Sequence, residues 1–200
     1  MSSAEIVANV LTAICIVLAG RNNVHTWWTG IAGCAVFSWV FFEARLYGDA
    51  GLQVFFIATG IAGWVHWIKR KEGRELPVRW TPPVHLAAMG AAALAVALVQ
   101  GVLLARYTDA AAPMADSLVF GLSVLAQFLL MGRRVENWIV WIAVNTIAVP
   151  LFAYRELYLT STLYAFFWVN AIVSLRHWQG LARASVRAGA SSRSTSASGS

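Results

Sequence analysis

Seven apolar segments, almost free of charged residues, constrain the fold of this chain more than any other feature of its sequence. They occupy about residues 4–20, 24–42, 50–68, 84–105, 114–131, 138–154 and 157–175. About 20 apolar residues in a helix cross the roughly 30 Å hydrocarbon core of a bilayer. Because backbone groups in lipid must pair internally, and the short alternating segments of a β-barrel are absent, helices are favoured. The sequence therefore predicts an all-α integral membrane protein with seven transmembrane helices.

The composition agrees with a chain whose surface is covered by lipid. Only 12% of the 200 residues are charged and 59% are hydrophobic, a balance that would leave a soluble protein with large exposed apolar patches. The net charge of +6 does not indicate nucleic acid binding, because the charges lie in loops between the apolar segments. No basic region precedes the first segment, so we expect it to remain as a span and not to be cleaved as a signal peptide.

Lys and Arg residues predict the orientation of the chain in the membrane. Three of the 15 fall on the side of the N-terminus, and the other twelve fall on the opposite side with the loop 69–83 and the C-terminus. Positively charged loops favour the cytoplasm. The N-terminus is therefore predicted outside and the C-terminus inside, which requires an odd number of spans.

An internal repeat divides the chain. A shift of 111 residues aligns Val24–Trp67 with Val135–Trp178 without a gap, with 13 identities. We therefore predict a first three-helix repeat (1–68), a basic cytoplasmic loop with a linker helix (69–113), a second three-helix repeat (114–178) and a disordered cytoplasmic tail (179–200). The linker helix adds one crossing, so the two repeats are parallel in a 3+1+3 arrangement. Transporters built from repeats bind substrate near the midplane, where the repeats meet.

The motifs of common enzymes are missing from the sequence. There is no phosphate-binding loop, no HExxH zinc motif and no nucleophile elbow. An intramembrane enzyme or a receptor remains a rival interpretation, and substrate exchange in proteoliposomes distinguishes a transporter from both. No metal ligand set or cofactor is predicted. No Asp, Glu, Lys or Arg lies deep in a span, which favours passive transport over proton coupling.

Three residues of the sixth span form the strongest candidate site. Trp138, Trp141 and Asn145 share one helix face, and Asn145 lies near the midplane, where an unpaired amide is costly. The alternatives are an interfacial anchor for Trp138 and an interhelical hydrogen bond for Asn145.

Two further candidates are equivalent under the repeat. Gln53 and Tyr164 occupy matched positions near the outer ends of the third and seventh spans, and ordinary interhelical hydrogen bonds are their alternative role. Thr59 and Asn170 form a second matched pair about 120° around the helix, so both pairs cannot face one cavity. We also expect Trp64, Trp67 and Trp178 at the cytoplasmic membrane interface, where Trp is common.

These residues carry a resemblance to a known family. The stretch Val135–Asn145 resembles the ENWxxWxxxN signature of the PnuC transporters, and Phe42–Trp67 and Ala115–Ser117 are also similar to that family. The resemblance covers about residues 20–178. It implies a 3+1+3 fold similar to a duplicated SWEET-type unit.

The same resemblance implies the substrate and its partners. It implies uptake of nicotinamide riboside by facilitated diffusion in a bacterial inner membrane, trapping of the substrate by a cytoplasmic kinase, and a homotrimer as the candidate assembly. Carried over by motif, Trp138, Trp141 and Asn145 belong to the binding region, together with Gln53. Related branches carry thiamine or riboflavin. Trp faces attract flat cations by about 0.5–2 kcal/mol, which fits nicotinamide riboside and thiamine alike.

Overall fold

Seven helices make up the regular structure of the residues that the structure describes. The computed structural model describes residues 3–43, 47–69, 77–108, 112–156 and 158–197, with backbone alone at 47–49 and 189–197. The helices in these ranges are α1 (Ser3–Gly20), α2 (Thr26–Glu43), α3 (Tyr47–Ile68), α4 (Pro83–Tyr107), α5 (Pro113–Met131), α6 (Glu136–Tyr154) and α7 (Tyr158–Ala197). The predicted all-α class is confirmed.

Six of these helices are long and apolar enough to cross a membrane, and α2 is the exception. Its 18 residues begin with Thr26, Trp27 and Trp28 and end with Glu43, which lowers its mean hydropathy. Seven helices are thus confirmed, whereas the seventh span, through α2, stays a prediction.

The chain forms two compact units, Met1–Leu76 and Pro77–Ser200. In the first unit α2 packs against both α1 and α3. In the second unit α6 packs in the same way against both α5 and α7, while α4 packs against α5. The linker helix α4 is therefore part of the second compact unit, although the sequence separated it from the second repeat.

Small residues bring α4 and α5 into close contact. A Cβ atom added to Gly121 would lie 2.6 Å from the carbonyl oxygen of Ala93, and one added to Gly101 would lie 3.5 Å from Ser117 Oγ. Packing at small residues is typical of membrane helices, because lipid provides no hydrophobic driving force between them. These glycines fix the contact between α4 and α5.

The turns α1–α2 and α5–α6 have the same backbone geometry. Each ends its helix with a residue in the left-handed region, Asn22 (φ 54°) and Arg133 (φ 50°). Asn22 N donates to Ala19 O at 2.9 Å, and Arg133 N donates to Leu130 O at 3.0 Å, which is the same bond 111 residues later. The following residue in each turn donates to Leu18 O or Leu129 O at 2.9 Å, completing a Schellman motif.

A second hydrogen bond recurs at matched positions with donor and acceptor exchanged. Ser38 Oγ of α2 donates to Ala50 O of α3 at 3.4 Å. In the second unit Ser161 Oγ of α7 donates to Val149 O of α6 at 2.9 Å. Position 38 matches 149 and position 50 matches 161, so the same two positions are bonded in both units. The hydroxyl donor lies on the earlier helix in the first unit and on the later helix in the second.

The C-terminal segment differs from the prediction of a disordered tail at 179–200. Helix α7 continues without interruption to Ala197. Residues 179–188 include three alanines, a leucine and two arginines, all good helix formers, and no proline follows the span. The span therefore leaves its apolar section as a continuous helix; residues 198–200 lie outside the described part.

Candidate functional site

Asn145 and Trp141 are joined through the backbone of α6. Asn145 is 3% exposed, and its Nδ2 donates to the carbonyl oxygen of Trp141 at 2.8 Å. Trp141 itself is half-buried. The bond uses one N–H of the amide and leaves its second N–H and its carbonyl oxygen for other partners. The structure thus brings these two predicted residues together one turn apart, with hydrogen-bonding capacity to spare.

Trp138 has a different environment. It is 2% exposed, and its ring packs edge-to-face against Trp178, with centroids 5.7 Å apart and planes at 77°. Its Nε1 is buried without a hydrogen-bond partner among the described residues. The Trp138 ring therefore contributes to helix packing here, and its predicted contact with substrate stays a prediction.

The first unit repeats this aromatic contact. Trp27 and Trp67, which match Trp138 and Trp178, meet edge-to-face at 5.3 Å and 84°. Trp67 is 3% exposed and Trp178 is fully buried, so both rings face neighbouring helices and not lipid, whereas Trp64 is 38% exposed. Their place at the cytoplasmic interface stays a prediction. Both rings pack inside their units because a tryptophan on the preceding helix faces them.

Tyr164 belongs to an aromatic cluster between α6 and α7. Its ring centroid lies 4.8 Å from that of Phe152 and 5.6 Å from that of Phe167. Phe152 is seven residues from Asn145, so both lie on one face of α6. Through Phe152 the cluster links Tyr164 to the face of α6 that carries Asn145.

The matched candidates of the first unit are placed on α3. Gln53 is half-buried there. Thr59 Oγ1 donates to the carbonyl oxygens of Phe55 and Phe56 at 3.0 and 3.2 Å, so its hydroxyl is used within its own helix. The convergence of Gln53 and Tyr164 at one cavity stays a prediction.

Sequence reasoning missed a polar pair near the middle of the same helices. Trp168 Nε1 of α7 donates to Thr146 Oγ1 of α6 at 3.0 Å, and Thr146 Oγ1 donates to Ile142 O at 2.8 Å. Pro150 has no N–H, so the carbonyl of Thr146 also lacks its usual helical donor. The sequence feature that could have revealed this pair is Trp168, a tryptophan in the middle of a span, four residues after Tyr164.

Comparisons with known proteins agree on one family. The sequence matches the family described as "Nicotinamide mononucleotide transporter" over residues 2–180. The nicotinamide riboside transporter PnuC of Escherichia coli (strain K12) is 28% identical over 209 residues, which cover 92% of this chain and 87% of that relative. The riboflavin/roseoflavin transporter RibM of Streptomyces davaonensis is 25% identical over 179 residues, covering 87% and 83%.

One solved structure has a similar fold. The crystal structure of the vitamin B3 transporter PnuC superposes with a TM-score of 0.70 and 21% sequence identity, covering 90% of this chain and 82% of that one. At this identity the likeness concerns the arrangement of helices alone.

Proposed function

Because the chain belongs to the nicotinamide mononucleotide transporter family, we propose that it carries nicotinamide riboside across the bacterial inner membrane. The chain is a multi-pass membrane transporter and not an enzyme. The observation that carries the substrate proposal is the buried amide of Asn145 beside Trp141, in a span without charged residues after Glu136.

The absence of charge separates the riboside from the mononucleotide. A phosphate group adds about −1.5 to −2 charges at neutral pH, and a buried charge needs a partner. No Lys or Arg occurs between residues 117 and 131, 137 and 154, or 158 and 175 of the second repeat. The riboside carries only a pyridinium cation, which an indole face attracts, and an amide and hydroxyls that Asn145 can pair with.

We propose that the substrate site contains Trp138, Trp141, Asn145 and Tyr164 of the second unit, and we keep Gln53 as a candidate from the sequence. The Asn145 amide, the Trp141 indole and the aromatic cluster at Tyr164 support this choice. Thermal-shift and calorimetric titrations with nicotinamide riboside, its mononucleotide, thiamine and riboflavin test it. Tight binding of the riboside alone is the expected result.

The 3+1+3 arrangement of parallel repeats is part of the proposal. The identical turns at Asn22 and Arg133 support it, as do the matched tryptophan pairs and the same packing order in each unit. We further propose an outside N-terminus and an inside C-terminus. Single-cysteine accessibility in intact cells tests this orientation, and a periplasmic C-terminus would contradict it.

Transport proceeds by facilitated diffusion in this proposal. The sequence has no ATP-binding loop and no intramembrane carboxylate that would couple transport to protons. Net uptake then requires that a cytoplasmic kinase phosphorylate the riboside and trap it. A homotrimer is the proposed assembly, testable by light scattering of the purified protein.

Riboflavin is the second candidate substrate, because a riboflavin/roseoflavin transporter is among the relatives. Riboflavin is neutral and larger than the riboside, so it needs a wider cavity and gains nothing from a cation–π contact. Binding of riboflavin without binding of the riboside would decide for this alternative.

A further inference from the structure

A short segment before α4 is bound to the start of the candidate substrate helix. We define residues Val78–Thr81 as the strap. Arg79 N donates to Arg133 O, and Val135 N donates to Arg79 O, each at 3.2 Å, which forms an isolated bridge beside the α5–α6 turn. Arg134 Nη1 also donates to Trp80 O at 3.1 Å. The strap is thus held by backbone and side-chain bonds at the start of α6.

Glu136 is buried at this contact. It is 4% exposed, and its carboxylate accepts from Thr81 N at 2.6 Å and from Thr81 Oγ1 at 3.2 Å. Burial of an ionised carboxylate is costly unless it is paired and hydrogen-bonded. Burial lowers the pKa of the Arg134 guanidinium and Arg79 lowers it further, whereas the Glu136 carboxylate raises it, so the carboxylate and Arg134 attract each other.

A local side-chain bond also holds the start of α6, because Asn137 Nδ2 donates to Arg134 O. The N-cap of α6 is Val135, which provides no side-chain cap hydrogen bond. In the first unit His25, which matches Glu136, donates its backbone N–H to Asn23 Oδ1 at 2.9 Å, a bond between near neighbours. Glu136 is instead bonded across 55 residues of sequence, to Thr81.

From this contact we infer that Glu136 is a positioning residue: with the strap, it fixes the start of α6 so that Trp141 and Asn145 are held in place for substrate. Glu136 lies five residues from Trp141 and nine from Asn145 on one continuous helix. A change at the start of α6 therefore shifts both residues. The substrate part of this inference rests on the proposed function.

Three variants of the full chain, purified in lipid nanodiscs, test the inference. Glu136→Ala removes the carboxylate, Glu136→Gln keeps an acceptor for Thr81 N, and Thr81→Ala removes only the hydroxyl. Hydrogen exchange of the amides at 135–142 reports on the start of α6 without any ligand. Titration with nicotinamide riboside reports on the site.

Glu136→Ala should accelerate this exchange by roughly 10- to 100-fold, the effect of losing a charged hydrogen bond. It should also weaken riboside binding by about 2- to 30-fold, while Glu136→Gln recovers part of both effects. Asp116→Asn is the matched control, because it removes the negative charge from the ion pair with Arg155 at the opposite end of α6. It should change neither the exchange at 135–142 nor the affinity.

Two results would overturn the inference. One is unchanged exchange at 135–142 in folded Glu136→Ala. The other is faster exchange with unchanged affinity, which would leave Glu136 a purely structural role. If the unmodified protein fails to bind the riboside, the proposed function is wrong, and the exchange measurement by itself then decides whether the strap holds α6. If Glu136→Ala does not fold, Glu136→Gln decides: it removes the charge from the contact, and unchanged exchange at 135–142 in this variant would overturn the inference.

Discussion

Trp138 packs edge-to-face against Trp178, with ring centroids 5.7 Å apart, and both side chains are at most 2% exposed. Truncation of either ring leaves a large cavity between α6 and α7. We expect Trp178→Ala to lower the free energy of unfolding by about 3–5 kcal/mol. Chemical denaturation in detergent, followed by circular dichroism, measures it. Stability close to that of the unmodified protein would show that the contact is dispensable.

In the first unit, the packing of the matched pair Trp27 and Trp67 can be tested by a small substitution at Gly63. A Cβ atom there would lie 2.3 Å from the Trp27 ring, so Gly63→Ala should destabilise the first unit by about 1–3 kcal/mol through overpacking. Gly51 on the same helix has nothing within 4 Å of an added Cβ atom. Gly51→Ala is therefore the control, and should be neutral or stabilising by up to about 1 kcal/mol. Equal effects of the two substitutions would contradict the packing of Trp27 on α3.

The ion pair between Asp116 and Arg155 should contribute little to stability. Its atoms are 2.7 Å apart, but the Arg155 and Asp116 side chains are 26% and 32% exposed. Asp116→Asn should therefore cost less than about 1 kcal/mol, because water and salt screen such pairs. Thermal unfolding at low and high salt checks this. Loss of transport in a folded Asp116→Asn protein would contradict a merely structural role.

Substitutions of Asn145 and Trp141 should weaken substrate binding without preventing folding. Asn145→Leu and Trp141→Leu keep apolar volume in α6, so both proteins should fold. Loss of a ligand hydrogen bond or ring contact should weaken riboside binding by about 1–3 kcal/mol, or roughly 5- to 150-fold. Titration calorimetry on monodisperse protein measures the change, with Thr162→Ala, an exposed position on α7, as the control. Near-native affinity in both variants would direct attention to Gln53 and Tyr164.

The helices could be predicted from the sequence because a bilayer allows few other solutions for long apolar segments. The repeat was also visible, although identities placed its start at Val24. In the structure the repeat begins earlier, at the preceding turn. There Asn22 and Arg133 have the same backbone conformation although they are different residue types. Backbone hydrogen bonds fix that turn, and such bonds cannot be detected by comparing which residues are identical.

Contacts between distant segments could not be predicted. No sequence pattern predicts the bond between Thr81 and Glu136. The packing of Trp178 on Trp138 was not predicted, because tryptophan is common at membrane interfaces and was assigned there. Asn145 was predicted as buried and polar, and it is; its bond to the Trp141 carbonyl shows why the helix tolerates it. Burial of polar groups is readable from position in a span, whereas their partners depend on packing.

The most direct test of the account is exchange transport in proteoliposomes made from the purified chain. Vesicles loaded with unlabelled nicotinamide riboside should take up labelled riboside saturably with no ion gradient and no ATP. Without a kinase inside, the label should equilibrate and not accumulate in vesicles loaded with buffer, and the mononucleotide should compete poorly. Gradient-dependent accumulation of the riboside, or exchange of riboflavin but not of the riboside, would contradict the account.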